Sequence, residues 1–151
     1  MRILALYPYP TRQTLTRVAL GTGPDTYLMG LNRLGPRFEV DFVDPVLTRG
    51  TDALWAIMRH GPIQDRFFPA NLVQQARGLL RRKAYDALVI RDIKNVFLPA
   101  LAPKISTNRV PTMLLNTIVD AGSTRNHLLA PFLRRVNMIA YDTKAMFNVL
   151  N

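Results

Sequence analysis

The amino-acid sequence predicts an α/β fold: a doubly wound, mainly parallel sheet with helices on both faces. Three observations predict it. Short apolar runs alternate with longer amphipathic ones, the pattern of βα units. The opening run, Ile3-Leu4-Ala5-Leu6-Tyr7, is apolar without interruption, as expected of a strand covered on both sides. The chain has 151 residues, 48% of them apolar. That suffices for one domain with a real core, since a chain of this size buries roughly 70% of its unfolded surface.

The elements follow in order. After the strand at residues 3–7, a long loop is expected from Pro8 to about Gly23. Pro24 suits a first helical turn, where its missing N–H costs nothing. Tyr27, Leu28, Leu31 and Leu34 then fall at helical spacing, and Gly35-Pro36 stops that helix. Phe38-Glu39-Val40-Asp41-Phe42-Val43 alternates and predicts a second strand, open on one face and ended by Asp44-Pro45. Residues 52–59 predict a short helix with Leu54, Ile57 and Met58 inward, broken by Gly61-Pro62. Residues 69–83 predict a longer helix whose apolar stripe is Leu72, Val73, Ala76, Leu79 and Leu80. Arg77, Arg81, Arg82 and Lys83 sit off that stripe and crowd the C-terminal end, where positive charge suits the helix dipole.

Residues 86–92 predict a buried strand ending in two charges, Arg91 and Asp92. Residues 95–104 carry Pro99 and Pro103 and fit a helix or a broken turn. Residues 112–116 predict a strand, and 123–135 a helix that Pro131 kinks or splits. Residues 137–141 predict a last strand, and 144–151 the start of a helix. No internal repeat or low-complexity stretch interrupts this order. The first strand opens the chain with no room for a signal-peptide core, and no apolar run approaches the ~20 residues that span a bilayer. A cytoplasmic protein is expected.

Composition narrows the chemistry. Zero cysteine excludes disulfides, thiolate metal sites and a cysteine nucleophile. The net charge of +10, from twenty Lys+Arg against ten Asp+Glu, favours anionic partners. The basic residues are spread along the chain and dense only at 77–83. Without a basic region interleaved with aromatics, nucleic acid is disfavoured. His60 and His127 have no metal-ligand spacing. There is no nucleophile elbow and no phosphate loop ending in Gly-Lys-Ser/Thr. No cofactor is expected.

In a doubly wound sheet, ligands sit outside the carboxyl ends of the strands. Gly21, Thr22 and Gly23, before the expected helix, allow backbone amides to approach an anion; the alternative is a plain capping turn. The dinucleotide fingerprint is not met, because Thr26 stands where its third glycine would be. Asp44 stands where a ribose-binding acid would. Arg91 and Asp92 fit a substrate contact or a structural ion pair. Asn116, Thr117 and Asp120 offer short-reach hydrogen bonds to hydroxyl-rich ligands, or serve turn chemistry. Tyr7 and Tyr9 flank the first loop and offer rings for stacking on a ligand ring, with core packing the expectation for Tyr7. Trp55 is expected to be a buried helix residue.

The opening Met1-Arg2-Ile3-Leu4-Ala5-Leu6-Tyr7-Pro8-Tyr9-Pro10, followed by a glycine-containing loop, resembles the start of retaining glycosyltransferases of family four. Tyr85-Asp86-Ala87-Leu88-Val89-Ile90-Arg91, the segment 110–117 and the segment 133–143 resemble later strands of that family in the same order. The chain departs from the family at Asn116-Thr117, where a histidine is usual, and at Asp142-Thr143, where a serine is usual.

The resemblance implies one Rossmann-like half of a GT-B enzyme: a single domain over residues 1–151, with the C-terminal, donor-binding domain absent from this chain. It implies acceptor binding in the transfer of a hexose from a nucleoside-diphosphate sugar to an acceptor hydroxyl. In that reading Gly21, Thr22 and Gly23 approach the diphosphate or the sugar. Arg91 and Asp92 line the cleft, and Asn116, Thr117 and Asp120 orient the acceptor. The basic surface would lean on anionic lipid at the inner face of a membrane, and the isolated domain would be inactive. The rival expectation is a stand-alone flavodoxin-like binding module without catalysis.

Overall fold

The structure, a computed structural model, describes residues 1–24, 28–60, 66–92, 98–99, 110–115 and 136–140. Among them are five strands: β1 (Arg2–Leu6), β2 (Glu39–Val43), β3 (Ala87–Arg91), β4 (Thr112–Leu115) and β5 (Met138–Ala140). They form one sheet in the order β2-β1-β3-β4-β5, every neighbouring pair parallel. The predicted α/β class with a parallel, Rossmann-like sheet is what the chain adopts.

Parallel pairing explains the continuous apolar runs, because each central strand needs cover on both faces. β1 lies between β2 and β3, with Leu4 opposite Asp41 on one side and Leu88 on the other. Leu4, Leu6, Val43, Tyr85, Leu88, Ile90 and Leu114 form the core on one face. Ile3, Val89 and Leu115 form it on the other, with Met29 and Leu31 packed over them. At the amino edge, the Tyr85 hydroxyl donates to Asp41 at 2.5 Å, and the Arg2 guanidinium lies 4.9 Å from the Tyr85 ring centre. This polar knot joins β2, β1 and the entry to β3.

Three helices are described: α1 (Thr11–Ala19), α2 (Arg49–Met58) and α3 (Phe68–Arg81), with 3-10 turns at Leu31–Arg33 and Arg82–Ala84. α1 corrects the expected loop over 8–23. Its sequence is short of apolar residues, and its N-cap residue, Pro10, offers no side-chain acceptor. The cap comes instead from Asp44, distant in the chain, so local pattern gives no sign of the helix. The helix expected over 24–34 is also corrected. Its described part is a 3-10 turn entered through Gly30 in the left-handed region at φ 77°, with Leu28 buried and Leu34 exposed.

The faces of α2 and α3 are corrected as well. In α2 the sides turned inward are Thr51, Trp55 and Met58, while Leu54 and Ile57 point outward. Trp55 is only half-buried, with its indole N–H enclosed and unpartnered. In α3 the buried residues are Pro69, Ala70, Asn71, Gln74, Gln75 and Gly78; of the expected stripe, Leu72 and Leu79 are half-buried while Val73, Ala76 and Leu80 face away. Arg82, expected off the core, is buried.

The reason lies at the strand ends. Carbonyls past the last ladder bond need donors, and an unpaired buried one is costly. The Gln74 amide donates to the Tyr7 carbonyl at 2.7 Å and also to the Val43 carbonyl. The Gln75 side-chain oxygen accepts from the Leu98 amide at 2.9 Å. Gly78 allows the close approach these contacts need: a Cβ there would stand 2.9 Å from Leu6 Cδ2. The expected helices over 95–104, 123–135 and 144–151 lie mostly or wholly outside the described residues.

Candidate functional site

β2 lies to one side of β1 and β3 to the other, so the strand order reverses between β1 and β3. In doubly wound folds, ligands sit outside the carboxyl ends of the strands at such a reversal. Tyr7-Pro8-Tyr9-Pro10 leaves β1, and Arg91-Asp92 ends and leaves β3. The switch point thus joins Tyr7, Tyr9, Arg91 and Asp92.

Their geometry is specific. Tyr7 is fully buried, as expected, and meets Tyr9 and Phe42 edge-on at ring-centre distances of 5.6 and 5.5 Å. Its hydroxyl donates to the Leu28 carbonyl at 2.9 Å. The Arg91 guanidinium lies 5.7 Å from the Tyr7 ring centre and 5.3 Å from that of Tyr9, and it donates to the Tyr9 hydroxyl. A cation over an aromatic face gains about 0.5–2 kcal/mol, more as it is desolvated. The two rings therefore hold Arg91 at the rim. Burial pushes the Tyr7 phenol far above its ordinary pKa, with the neighbouring Tyr9 adding to the rise and Arg91 opposing it. Tyr7 stays a neutral donor.

Asp92 takes φ 74°, in the left-handed region that non-glycine residues seldom enter, while its amide donates to the Leu115 carbonyl at 3.3 Å. That turn ends β3 and sets Asp92 beside Arg91 at the rim. Strain of this kind clusters at ligand sites.

On the β2 side the Asp44 carboxylate accepts from the Thr11 amide at 2.7 Å, from the Arg12 amide at 3.3 Å and from the Thr11 hydroxyl. These amides belong to the first turn of α1, the place where a Rossmann-like domain offers donors to a phosphate. Here they bind a carboxylate of the chain itself. Asp44 is a helix cap, and this is the role the structure gives the residue placed by sequence at a ribose-binding position.

Gly21-Thr22-Gly23 does not join the rim. The Thr22 amide donates to the Arg17 carbonyl at 2.9 Å and the Gly21 amide to the Val18 carbonyl at 3.0 Å, the paired bonds of a Schellman ending, with Gly21 at φ 67°. A Cβ on Gly23 would stand 2.9 Å from Arg17 Cβ. Both glycines serve the C-terminus of α1, about 13 Å of helix from the edge where α1 begins. Asn116, Thr117, Asp120 and His127 lie outside the described residues. His60 is exposed just past α2, where its Nε2 accepts from Arg59 Nε at 3.0 Å.

The site also has contributors that pattern reading passed over. Gln74, from the buried side of α3, holds the Tyr7 carbonyl where β1 ends; on the same side Asn71 is fully enclosed with neither amide atom partnered. The signal available was a run of amides, Asn71, Gln74 and Gln75, at helical spacing on a helix beside the sheet. Among the described residues, no group of three or more His, Asp or Glu is placed to hold a metal ion. Comparisons with protein families, curated proteins and solved structures return no match for this chain.

Proposed function

We propose that the chain is the acceptor-side half of a GT-B glycosyltransferase, one of two facing, doubly wound Rossmann-like domains. The whole enzyme would move a hexose from a nucleoside-diphosphate sugar to an acceptor hydroxyl. The observation that carries this reading is the meeting of Arg91, Asp92 and Tyr9 at the β1/β3 switch point. The resemblance of the strand sequences to retaining family-four enzymes supports it. A carboxylate accepts from sugar hydroxyls, a guanidinium donates to them or pairs with an anionic group, and an aromatic ring covers an apolar face. In this reading Asp92 and Arg91 fix the acceptor through its hydroxyls, with Tyr9 against the ring. Asn116, Thr117 and Asp120 follow β4 in the chain and would add short-reach partners. Gly21, Thr22 and Gly23 keep their capping role. The domain alone binds its acceptor weakly and transfers nothing.

A specific observation favours a second reading. The strand order 2-1-3-4-5 is that of flavodoxin-like domains, which bind a flavin nucleotide at this switch point. Against it stands Asp44, whose carboxylate takes the α1 amides that a phosphate would use.

Titrating the isotope-labelled chain with simple methyl hexosides and, separately, with flavin mononucleotide tests both. The expected result is weak hexoside binding with amide shifts confined to residues around Tyr9, Arg91 and Asp92, lost in Arg91→Ala. Flavin binding without any hexoside response would overturn the first reading in favour of the second.

A further inference from the structure

We propose that the first turn of α3 is a binding site for a phosphate that carries a P–OH group, either free phosphate or a phosphate monoester. The inference rests on α3 alone, independently of the glycosyltransferase reading. The N-termini of α1 and α2 are closed by the chain itself, α1 by Asp44 and α2 by the capping box of Thr48 and Thr51. α3, 14 residues long, has no capping side chain and no acid in its first turn. Pro69 supplies no N–H, so the Phe68 and Ala70 amides are the donors left there. Arg66, which is exposed, stands two residues before the helix. A cation there opposes the helix dipole unless an anion sits between them.

A second observation points to a ligand. Asn71 is fully buried, and its Nδ2 and Oδ1 have no partner among the described residues. An amide left so is costly. Side chains of a helix lean toward its N-terminus, so Asn71 leans over the first turn. Its place along α3 follows from its neighbours. Gly78 meets Leu6, which ends β1, and Gln74, one turn earlier, reaches the Tyr7 carbonyl just past it. Asn71 is about 4.5 Å further along, beyond the strand ends, where this fold class takes ligands. The Ala70 carbonyl accepts from the Val46 amide at 3.4 Å, which sets the turn beside the chain leaving β2.

The donors and acceptors select the ligand. Helix amides and a nearby arginine favour an anion. Asn71 offers one donor and one acceptor, and Gln74 Oε1, on the same side of α3, is a second enclosed acceptor without a partner among the described residues. A phosphate oxygen accepts from Nδ2, and a P–OH donates to Oδ1. Sulfate, or a carboxylate at neutral pH, has no hydrogen to give.

Titrating the isotope-labelled chain with inorganic phosphate and with sulfate, at about pH 7.5 and constant ionic strength, tests the proposal. Both are then mainly dianions, and only phosphate carries a hydrogen. The expected result is saturable shifts of the Phe68 and Ala70 amides and of the Asn71 side-chain NH2, with sulfate at least about tenfold weaker. This comparison needs no variant. Asn71→Ala should lower phosphate affinity about tenfold and bring it level with sulfate. Arg66→Gln, an exposed substitution, should weaken both ions about threefold. Methyl phosphate, which keeps a P–OH only below about pH 6, separates the two sources. Binding of it below that pH assigns the site to a monoester, and silence there assigns it to free phosphate. No saturable shift in the first turn, sulfate binding as tight as phosphate, or unchanged phosphate affinity in a folded Asn71→Ala would overturn the proposal.

Discussion

The Tyr7 hydroxyl donates to the Leu28 carbonyl at 2.9 Å, fastening the end of β1 to the segment that covers one face of the sheet. The bond is buried, and the phenol holds its proton more tightly folded than unfolded, first because of desolvation and then because of Tyr9. A raised folded pKa stabilises below the unfolded value, near 10, and that stability is lost as pH rises beyond it. Tyr85 is raised in the same direction, first by desolvation and then by Asp41, and adds to the decline. Urea unfolding between about pH 8 and pH 11 should show stability falling above pH 10, by at most about 1.4 kcal/mol per pH unit for each group. Tyr7→Phe should make the fall shallower and cost about 1 kcal/mol at neutral pH. An unchanged alkaline slope in Tyr7→Phe would refute the assignment.

Two glycines in helices should answer alanine in opposite directions. At Gly78 the new methyl would press on Leu6, itself fully buried. Overpacking of about 1–3 kcal/mol then outweighs the helix-propensity gain of about 1 kcal/mol, so Gly78→Ala should lower the melting temperature. At Gly50 a Cβ meets only Thr48 Oγ1 at 3.7 Å, an ordinary contact. Gly50→Ala should stabilise by up to about 1 kcal/mol.

Asp44→Ala should cost about 1–2 kcal/mol, the usual loss for a helix deprived of its cap. Asp44→Asn keeps an acceptor and should recover most of it. Equal destabilisation by both would mean that charge, rather than the hydrogen bonds to Thr11 and Arg12, holds the helix.

Gln74→Leu should cost about 1–3 kcal/mol for each carbonyl left without a donor, those of Tyr7 and Val43, in spite of its greater hydrophobicity. A stabilised Gln74→Leu in chemical denaturation would contradict the placing of this residue.

The strands were legible because each carries its own signal. The run through Leu4 and Leu6 is apolar on both sides, and β2, β3, β4 and β5 all lie within expected segments. The helices were less so, for a physical reason. α1 is capped from across the chain by Asp44, and α3 turns its amides inward because strand ends need donors. Period counting sees neither. Of the candidate site, Arg91 and Asp92 could be found as charges ending a buried strand. Tyr9 was visible as an aromatic ring beside the first loop, but its tie to Arg91 was not, since that depends on β1 and β3 being neighbours. Gly21-Thr22-Gly23 looked like an anion cradle because a Schellman ending and a phosphate loop draw on the same glycines.

The carboxylate of Asp44 also makes the first turn of α1 a self-competing site. A free phosphate arriving there must displace a rival that the fold delivers to the same amides. Even a flexible tether supplies such a rival at millimolar effective concentration, and Asp44 is held in place by hydrogen bonds to Thr11 and Arg12. Dilute anions are thus refused at this turn before contacts at the β1/β3 switch point choose among ligands, a specificity that works by exclusion.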